Sequence, residues 1–270
     1  MIPARIIQTG PAKLPLLLQS AITSVKLLHP GFEYLFFDDA RVESFMAEQP
    51  SEHQRVFNSF RFPIQKYDFF RYLAVYRLGG FYLDLDVFLV QDLTALQSAE
   101  CVFPFEELTW IQYLCDRYGM DWQIGNYGFG AEPGHPFLGA IIENCVRAAR
   151  EPEWVMPMMT GLPRMCHQDF YVLSSTGPGL VSRTFAENTR LARGVTILFP
   201  EDVCEPSTWH QFGEFGVHQM AASWRTTANL VSRRLRRAWE IRRLRQIIAA
   251  SQSRGRSRNV CPAVEAEQAV

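Results

Sequence analysis

Short apolar runs alternate with segments of helical spacing in the first third of the chain, and each kind of pattern predicts one type of element. The apolar runs have the length of buried strands: 4–8, 32–37 and 81–90. The segments with helical spacing lie between them: 14–28, 41–48 and 65–78. Residues 50–63 are predicted to be irregular or partly helical. This order of strands and helices predicts an α/β fold with a mostly parallel central sheet.

The third predicted strand contains two carboxylates, Asp84 and Asp86, among apolar neighbours. Residues two apart on a strand point to the same face. An ionised pair in apolar surroundings is costly without a counter-charge, and a divalent cation is the simplest compensation. Oxygen ligands that leave room for substrate phosphates suit Mg²⁺ or Mn²⁺. The pattern therefore predicts a metal site in an enzyme that handles a phosphorylated substrate.

The helix before this strand adds two charged residues, Asp68 and Arg71, at a spacing that places them side by side. Gly79-Gly80 then provides the left-handed stop between helix and strand. Taken alone, Asp68–Arg71 is also consistent with a structural ion pair, and a bare Asp-x-Asp with a solvated strand end. The combination at this spacing favours a functional site. Neither a Gly-x-Gly-x-x-Gly nor a Walker A loop is present, so a dinucleotide site or a P-loop is not supported.

The pattern Asp68-x-x-Arg-Tyr, followed by Gly79-Gly-x-Tyr-x-Asp-x-Asp86, resembles a family of glycosyltransferases that contain a DXD motif. The family includes yeast initiating and inositol-phosphoceramide mannosyltransferases, and the glucosyltransferase domain of large clostridial toxins is similar to it. The opening segment, 2–10, resembles the family's first strand, Ile-Pro-Lys-x-Ile-His-Gln, with Ile7 in place of the usual His. The resemblance spans about residues 2–224.

The resemblance implies a GT-A-like single domain over 2–224 and metal-dependent, retaining transfer of a sugar from a UDP- or GDP-linked donor. The acceptor would be a glycan or a lipid-linked molecule, and the reaction would belong to the synthesis of cell-surface polysaccharides. The implied catalytic residues are Asp68, Arg71, Asp84 and Asp86. The implied donor-binding residues are Gln8, Thr9, Asp68, Arg71, Asp84, Asn126 and Trp224. The implied ligands for Mn²⁺, or for Mg²⁺, are Asp84, Asp86 and His218.

A short loop sequence, Thr176-Gly177-Pro178-Gly179, resembles a family segment near the donor phosphates. A plain turn explains the same residues, because Gly and Pro are the usual residues of turns. Both interpretations remain open at the level of sequence.

Composition agrees with a globular enzyme, since 47% of the 270 residues are hydrophobic. The N-terminus lacks the pattern of a cleaved signal peptide, and no run of 18 apolar residues occurs. The six cysteines form no Cys-x-x-Cys pair, so a zinc site is not supported. Because no secretion signal is recognised, free thiols are favoured over disulfides. We therefore expect a cytoplasmic protein.

Charge is distributed unevenly along the chain. Residues 1–224 contain 16 Lys and Arg against 25 Asp and Glu, a net charge of −9, whereas 225–270 contain 11 Arg against three Glu, a net charge of +8. We expect a basic helical extension over 225–250 and a disordered tail over 251–270. The extension is predicted to bind an anionic membrane surface, with weak packing on the acidic domain as the alternative. No nucleic-acid-binding motif accompanies it.

Two other classes of protein fit parts of the sequence. Asp84-Leu-Asp86-Val-Phe loosely matches the motif of haloacid-dehalogenase-type phosphatases. That fold places the motif on its first strand with a lysine downstream, and this chain has no lysine after Lys66. A non-catalytic binder of nucleotide sugars is the other alternative, and release of nucleoside diphosphate would distinguish it from an enzyme.

Overall fold

The computed structural model describes residues 1–109, 111–219, 241–242 and 244–249. The strands of this part of the chain are β1 Arg5–Thr9, β2 Glu33–Phe37, β3 Gly80–Leu83, β4 Val87–Leu89, β5 Cys101–Leu108, β6 Trp122–Ile124, β7 Gly128–Ala131, β8 Thr196–Leu198, β9 Gln211–Phe212 and β10 Gly216–His218. The helices are α1 Leu16–Leu28, α2 Asp39–Ala47, α3 Ser51–Ser59, α4 Pro63–Leu78, α5 Gln112–Tyr118, α6 Pro136–Arg150, α7 Pro152–Val155, α8 His167–Ser175, α9 Pro178–Glu187 and α10 Thr189–Ala192.

The central sheet has seven strands in the order β2-β1-β3-β7-β5-β6, and β8 pairs with β5. The pairs β1–β2, β1–β3 and β5–β8 are parallel. The pairs β3–β7, β5–β7 and β5–β6 are antiparallel. The α/β class is confirmed, and five of the seven strands, β1, β2, β3, β5 and β8, run in one direction, whereas β6 and β7 run in the opposite direction. The sheet is mixed because β7 runs antiparallel between β3 and β5.

A second sheet consists of three antiparallel strands in the order β4-β10-β9, and its first strand, β4, follows β3 along the chain. The single strand predicted over 81–90 is thus wrong, because β3 belongs to the central sheet and β4 to this small sheet. The chain leaves the central sheet at Asp84, whose backbone N–H donates to the carbonyl of Tyr127 at 2.7 Å. A turn follows, closed by the bond from the Val87 N–H to the Asp84 carbonyl at 3.1 Å.

Helix α4 is buried around most of its circumference, because apolar residues lie on several of its faces. Pro63 occupies the first turn, where its missing N–H costs nothing. The helix ends at Gly79, whose φ of 66° suits glycine, and Gly80 follows at φ 105°. The Gly80 backbone passes close to β1, since a Cβ there would lie 2.7 Å from the Arg5 carbonyl oxygen. This close approach fixes where β3 begins.

The hydrophobic core consists of a larger and a smaller cluster of buried side chains, one on each face of the central sheet. Successive residues of a strand point to opposite faces and so enter different clusters. On β3, Tyr82 joins the larger cluster while Phe81 and Leu83 join the smaller one. Phe129 of β7 stacks on Phe103 of β5 with ring centroids 4.8 Å apart. Cys101 and Cys145 are buried free thiols, as expected.

The predicted basic extension lies only partly within the described residues, at 241–242 and 244–249, which are helical. Leu244, Ile247 and Ile248 are partly buried against the larger core cluster, whereas Arg242 and Arg245 are exposed. The predicted tail over 251–270 lies outside the described residues. Within the part of the chain that the structure covers, no helix has the length and apolar character needed to cross a membrane.

Candidate active site

The turn between β3 and β4 presents the two predicted carboxylates at the edge of the central sheet. Leu85, between them, is buried and lies against Gly10, where a Cβ would come within 2.3 Å of its side chain. The apolar middle residue therefore anchors the turn. Asp84 and Asp86 keep side-chain exposures of 25% and 17%, so both carboxylates remain accessible.

His218 reaches the turn because β10 pairs with β4, in a register that places it opposite Val87. Its Nε2 atom lies 3.3 Å from Oδ1 of Asp86. The backbone strengthens this arrangement, since the Gln219 N–H donates to the Asp86 carbonyl at 2.9 Å. Tyr127 stacks on the imidazole with ring centroids 4.4 Å apart and fixes its plane. The structure thus brings together three predicted ligands that are far apart in sequence.

These three side chains fit a divalent cation. One ligand atom from each of Asp84, Asp86 and His218 lies within 4.8 Å of the others. Carboxylate oxygens suit Mn²⁺ or Mg²⁺, whereas the imidazole is a ligand shared with other first-row divalent metals. Nε2 of His218 faces Asp86 and is the ring nitrogen placed to bind a cation beside the carboxylates. The chemistry of the donor set therefore agrees with the predicted metal site.

Arg71 joins the two predicted parts of the site, because its guanidinium lies between two carboxylates. It is 3.3 Å from Oδ1 of Asp68 and 3.2 Å from Oδ1 of Asp84. Its side chain and that of Asp68 are each only 5% exposed. Burial favours loss of its charge, but the neighbouring carboxylates outweigh it and hold the pKa of Arg71 above its ordinary value. Arg71 is therefore a fixed buried cation.

Asp68 is a buried carboxylate surrounded by donors. Oδ1 accepts from Nδ2 of Asn126 at 3.1 Å, and Oδ2 accepts from the hydroxyl of Thr176 at 2.8 Å. Burial raises the pKa of Asp68 to about 6, while Arg71 and the two hydrogen bonds act in the opposite direction. At neutral pH the carboxylate is mostly ionised, and both of its oxygens are held in place.

Asn126, a predicted donor-binding residue, is 8% exposed and connects several of these groups. Besides Asp68, its Nδ2 donates to the hydroxyl of Tyr72 at 2.9 Å, and its backbone carbonyl accepts from Arg71 at 2.9 Å. The preceding residue, Gly125, allows a close contact, since a Cβ there would lie 2.6 Å from the Glu106 carboxylate. Asn126 thus lies within the network that orients Asp68 and Arg71.

Gln8 and Thr9, at the end of β1, lie behind the turn. Gln8 is fully buried, and its Nε2 donates to the carbonyls of Leu83 and Asp84 at 3.3 and 3.4 Å. Its Oε1 accepts from the hydroxyl of Tyr34 at 2.9 Å. Thr9 is 9% exposed and donates to the carbonyl of Phe37 at 2.8 Å. Trp224, the remaining predicted donor-binding residue, lies outside the described residues.

Sequence reasoning missed several residues that border the site. Tyr82 donates to Oδ1 of Asp84 at 2.7 Å, and the spacing of two residues along a strand was a signal for this contact. His210 has no such local signal. Its Nδ1 lies 3.5 Å from Oε1 of Glu106, and its φ of 57° is in the left-handed region, which His enters more often than most residues.

The fold and the cluster together define an α/β domain with a carboxylate–imidazole cluster beside a buried arginine. Residues 15–103 match the model of a family described as "Glycosyltransferase sugar-binding region containing DXD motif". This segment includes four of the predicted site residues, Asp68, Arg71, Asp84 and Asp86.

Curated proteins with similar sequences are yeast enzymes. "Inositol phosphoceramide mannosyltransferase 1" of Schizosaccharomyces pombe is 33% identical over 129 residues, which cover 46% of this chain and 36% of that protein. "Inositol phosphoceramide mannosyltransferase 3" of the same organism is 26% identical over 212 residues, covering 73% of this chain and 52% of that protein. The matches to these relatives span about half of their length or less. They confirm the predicted resemblance and support the prediction of a glycosyltransferase.

Solved structures with similar arrangements include the PaToxG glycosyltransferase, with a TM-score of 0.45, 12% identity, and coverage of 72% of this chain and 76% of that chain. The ligand-free glycosyltransferase domain of the YGT toxin has a TM-score of 0.45 and 9% identity, and the match covers 73% of this chain and 80% of that chain. Both scores are low, and the fold class rests on the chain's own strand order.

Proposed function

We propose that this chain is a metal-dependent, retaining glycosyltransferase that moves a sugar from a nucleotide-sugar donor to a glycan or lipid-linked acceptor. The observation that carries the proposal is the meeting of Asp84, Asp86 and His218 within 4.8 Å, beside the buried pair Asp68–Arg71. Two curated relatives are named mannosyltransferases of inositol phosphoceramide, so GDP-linked mannose is the first donor to test, followed by UDP-linked sugars.

The chemistry of transfer requires negative charge to be stabilised on the departing nucleoside diphosphate. A bound divalent cation supplies that stabilisation as a Lewis acid. Asp86 and His218 would hold it, with Asp84 contributing directly or through water and the donor ribose. Asp84 is restrained for this task, because both of its oxygens lie within hydrogen-bond distance of Arg71 and Oδ1 also accepts from Tyr82.

Asp68 and Arg71 are assigned to the donor sugar. Because Asp68 is fixed by donors on both oxygens, it is better suited to hold a hydroxyl than to form a covalent bond with the sugar. We therefore favour same-face substitution, with retained configuration, over double displacement. The sugar centre would pass through an oxocarbenium-like state.

The proposal is tested by thermal shift and by release of nucleoside diphosphate. In Mn²⁺, a nucleotide sugar at about 100 times its Kd should stabilise the protein by about 2.7 kcal/mol. Asp86→Asn should abolish turnover in a folded protein, and EDTA should do the same to the wild type until Mn²⁺ is restored. Asp116→Asn, at an exposed position of α5, is the matched control and should keep full activity.

Two results would contradict the proposal in different ways. Full turnover in EDTA would remove the metal from the mechanism. Binding of nucleotide sugars without any release of nucleoside diphosphate would instead indicate a non-catalytic binding protein.

The location of the enzyme belongs to the same proposal. We place it in the cytoplasm, on the inner face of a membrane, where a lipid-linked acceptor would lie. The support is the charge of +8 on residues 225–270, together with the exposure of Arg242 and Arg245. Cosedimentation with anionic vesicles at low salt, weakening at high salt, is the expected result. An absence of pelleting at low salt would exclude the membrane role.

A further inference from the structure

Ser175 and Thr176, where α8 ends and the chain turns towards α9, make three hydrogen bonds to one face of α4. Gln65 donates to the hydroxyl of Ser175 at 2.8 Å. Asp68 accepts from Thr176, and the Tyr72 hydroxyl donates to the Thr176 carbonyl at 2.7 Å. The three α4 residues are separated by three and four positions, so they lie along one helical face. The middle one of these three hydrogen bonds, from Thr176 to Asp68, is made to the carboxylate that we assign to the donor sugar.

The hydroxyl proton of Thr176 is directed at Asp68. Its oxygen lies 2.8 Å from Oδ2 of Asp68 and 3.4 Å from the carbonyl of Val172, so the ionised carboxylate is the better acceptor. Thr176 is fully buried, and water cannot replace the donor without a cavity. The carbonyl bond from Tyr72 fixes the backbone of Thr176 in turn.

We infer that Thr176 is a positioning residue that holds Asp68 in the orientation needed to bind the donor sugar. This inference rests on the proposed function, because it assumes that Asp68 contacts the sugar. Neither interpretation of the Thr176-Gly177-Pro178-Gly179 segment describes this role: the threonine acts on a carboxylate of α4 that is 108 residues away in sequence. It contacts Asp68 and not the substrate, so its effect must pass through Asp68.

The test compares Thr176→Val, which keeps the shape and removes the hydroxyl, with Thr176→Ser, which keeps the hydroxyl. The matched control is Thr184→Val, at a second fully buried threonine whose hydroxyl donates to the Leu180 carbonyl at 2.8 Å. In the full chain with Mn²⁺, calorimetry measures the affinity for the nucleotide sugar and for its nucleoside diphosphate. The ratio of the two affinities reports the sugar contact alone.

Thr176→Val should reduce that ratio about 10- to 100-fold, the value of a hydrogen bond to a charged group. The nucleoside diphosphate should bind as it does to the wild type. Thr176→Ser and Thr184→Val should keep the wild-type ratio. In an Asp68→Asn background, adding Thr176→Val should change the ratio no further, because the residue acts through Asp68.

Three results would overturn the inference. These are a wild-type ratio in Thr176→Val, an equal loss of nucleoside diphosphate affinity, or an undiminished effect in the Asp68→Asn background. Thr176→Cys, with its weaker donor, serves the same comparison if the valine variant does not fold. A wild-type protein that binds no nucleotide sugar at all would instead overturn the proposed function.

Discussion

Replacing Arg71 by Met tests whether buried charge holds the site together. The guanidinium lies 3.3 Å from Asp68 and 3.2 Å from Asp84, with only 5% of its side chain exposed. Removing one partner of a buried ion pair costs about 3–5 kcal/mol, because the remaining charge is left uncompensated. We expect a loss of this size in the free energy of unfolding, measured with urea in EDTA at pH 8. Met approximates the aliphatic part of the side chain, so most of the loss is electrostatic.

The pH dependence of the stability loss in Arg71→Met distinguishes the loss of the Arg71 charge from the loss of its packing. Arg71 lowers the pKa of Asp68, which burial raises to about 6 from 3.8. Without the arginine, the folded-state pKa rises further, and a raised folded-state pKa makes stability fall as pH increases through it. At pH 5 the Asp68 carboxyl is mostly protonated in the folded wild type and in folded Arg71→Met, so its charge contributes little to the loss of stability. At pH 8 each further unit of pKa shift adds about 1.4 kcal/mol.

The control is Arg147→Met, which breaks an exposed ion pair with Glu151 whose side chains are 49% and 50% exposed. Such pairs contribute about 0–1 kcal/mol, and the loss should not change between pH 5 and pH 8. If Arg71→Met costs the same at both pH values, its pairing with Asp68 does not account for the loss of stability. A cost under about 1 kcal/mol at pH 8 would refute the buried ion pair altogether.

Two further predictions concern the scaffold. Gly80→Ala should lower the free energy of unfolding by roughly 3 kcal/mol, because φ is 105° and the new Cβ would lie 2.7 Å from a carbonyl oxygen of β1. The control Gly31→Ala, whose new Cβ would have no atom within 4 Å, should change it by less than about 1 kcal/mol. Equal midpoints of urea unfolding for the two variants would contradict this prediction. Leu244→Asp should lower the melting temperature by roughly 5 °C if its side chain packs on the core, whereas exposed Arg245→Asp should not. An unchanged melting temperature in Leu244→Asp would instead favour a lipid-facing extension.

The sequence predicted well those features that depend on local patterns. Helix α4 and its glycine stop followed from apolar periodicity and from Gly79-Gly80, and β1, α1 and β2 lie within two residues of their predicted ends. The contact of Asp68 with Arg71 followed from helical spacing. In each case, residues fewer than five positions apart determine the result, so one sequence contains enough information.

The features that the sequence did not predict depend on distant pairing. An unbroken strand over 81–90 was the simplest reading of an apolar run, and nothing in that run indicates that β10 would pair with its second half. The antiparallel insertion of β7 beside β3 likewise depends on residues nearly fifty positions later. His218 was predicted through the resemblance, and the pairing of β10 with β4 explains why it lies beside Asp86.

The division of the site along the chain has a physical consequence. The segment that matches the family model, residues 15–103, contains Asp68, Arg71 and both carboxylates of the turn. Arg71 and Tyr82 restrain Asp84 within this segment, and further restraints come later: Asn126 and Thr176 donate to Asp68, and His218 approaches Asp86. Three carboxylates and one guanidinium gathered without these partners would repel and lose their orientation. The matched segment therefore supplies the charges and holds Asp84, and the second half of the chain supplies the remaining contacts that orient Asp68 and Asp86.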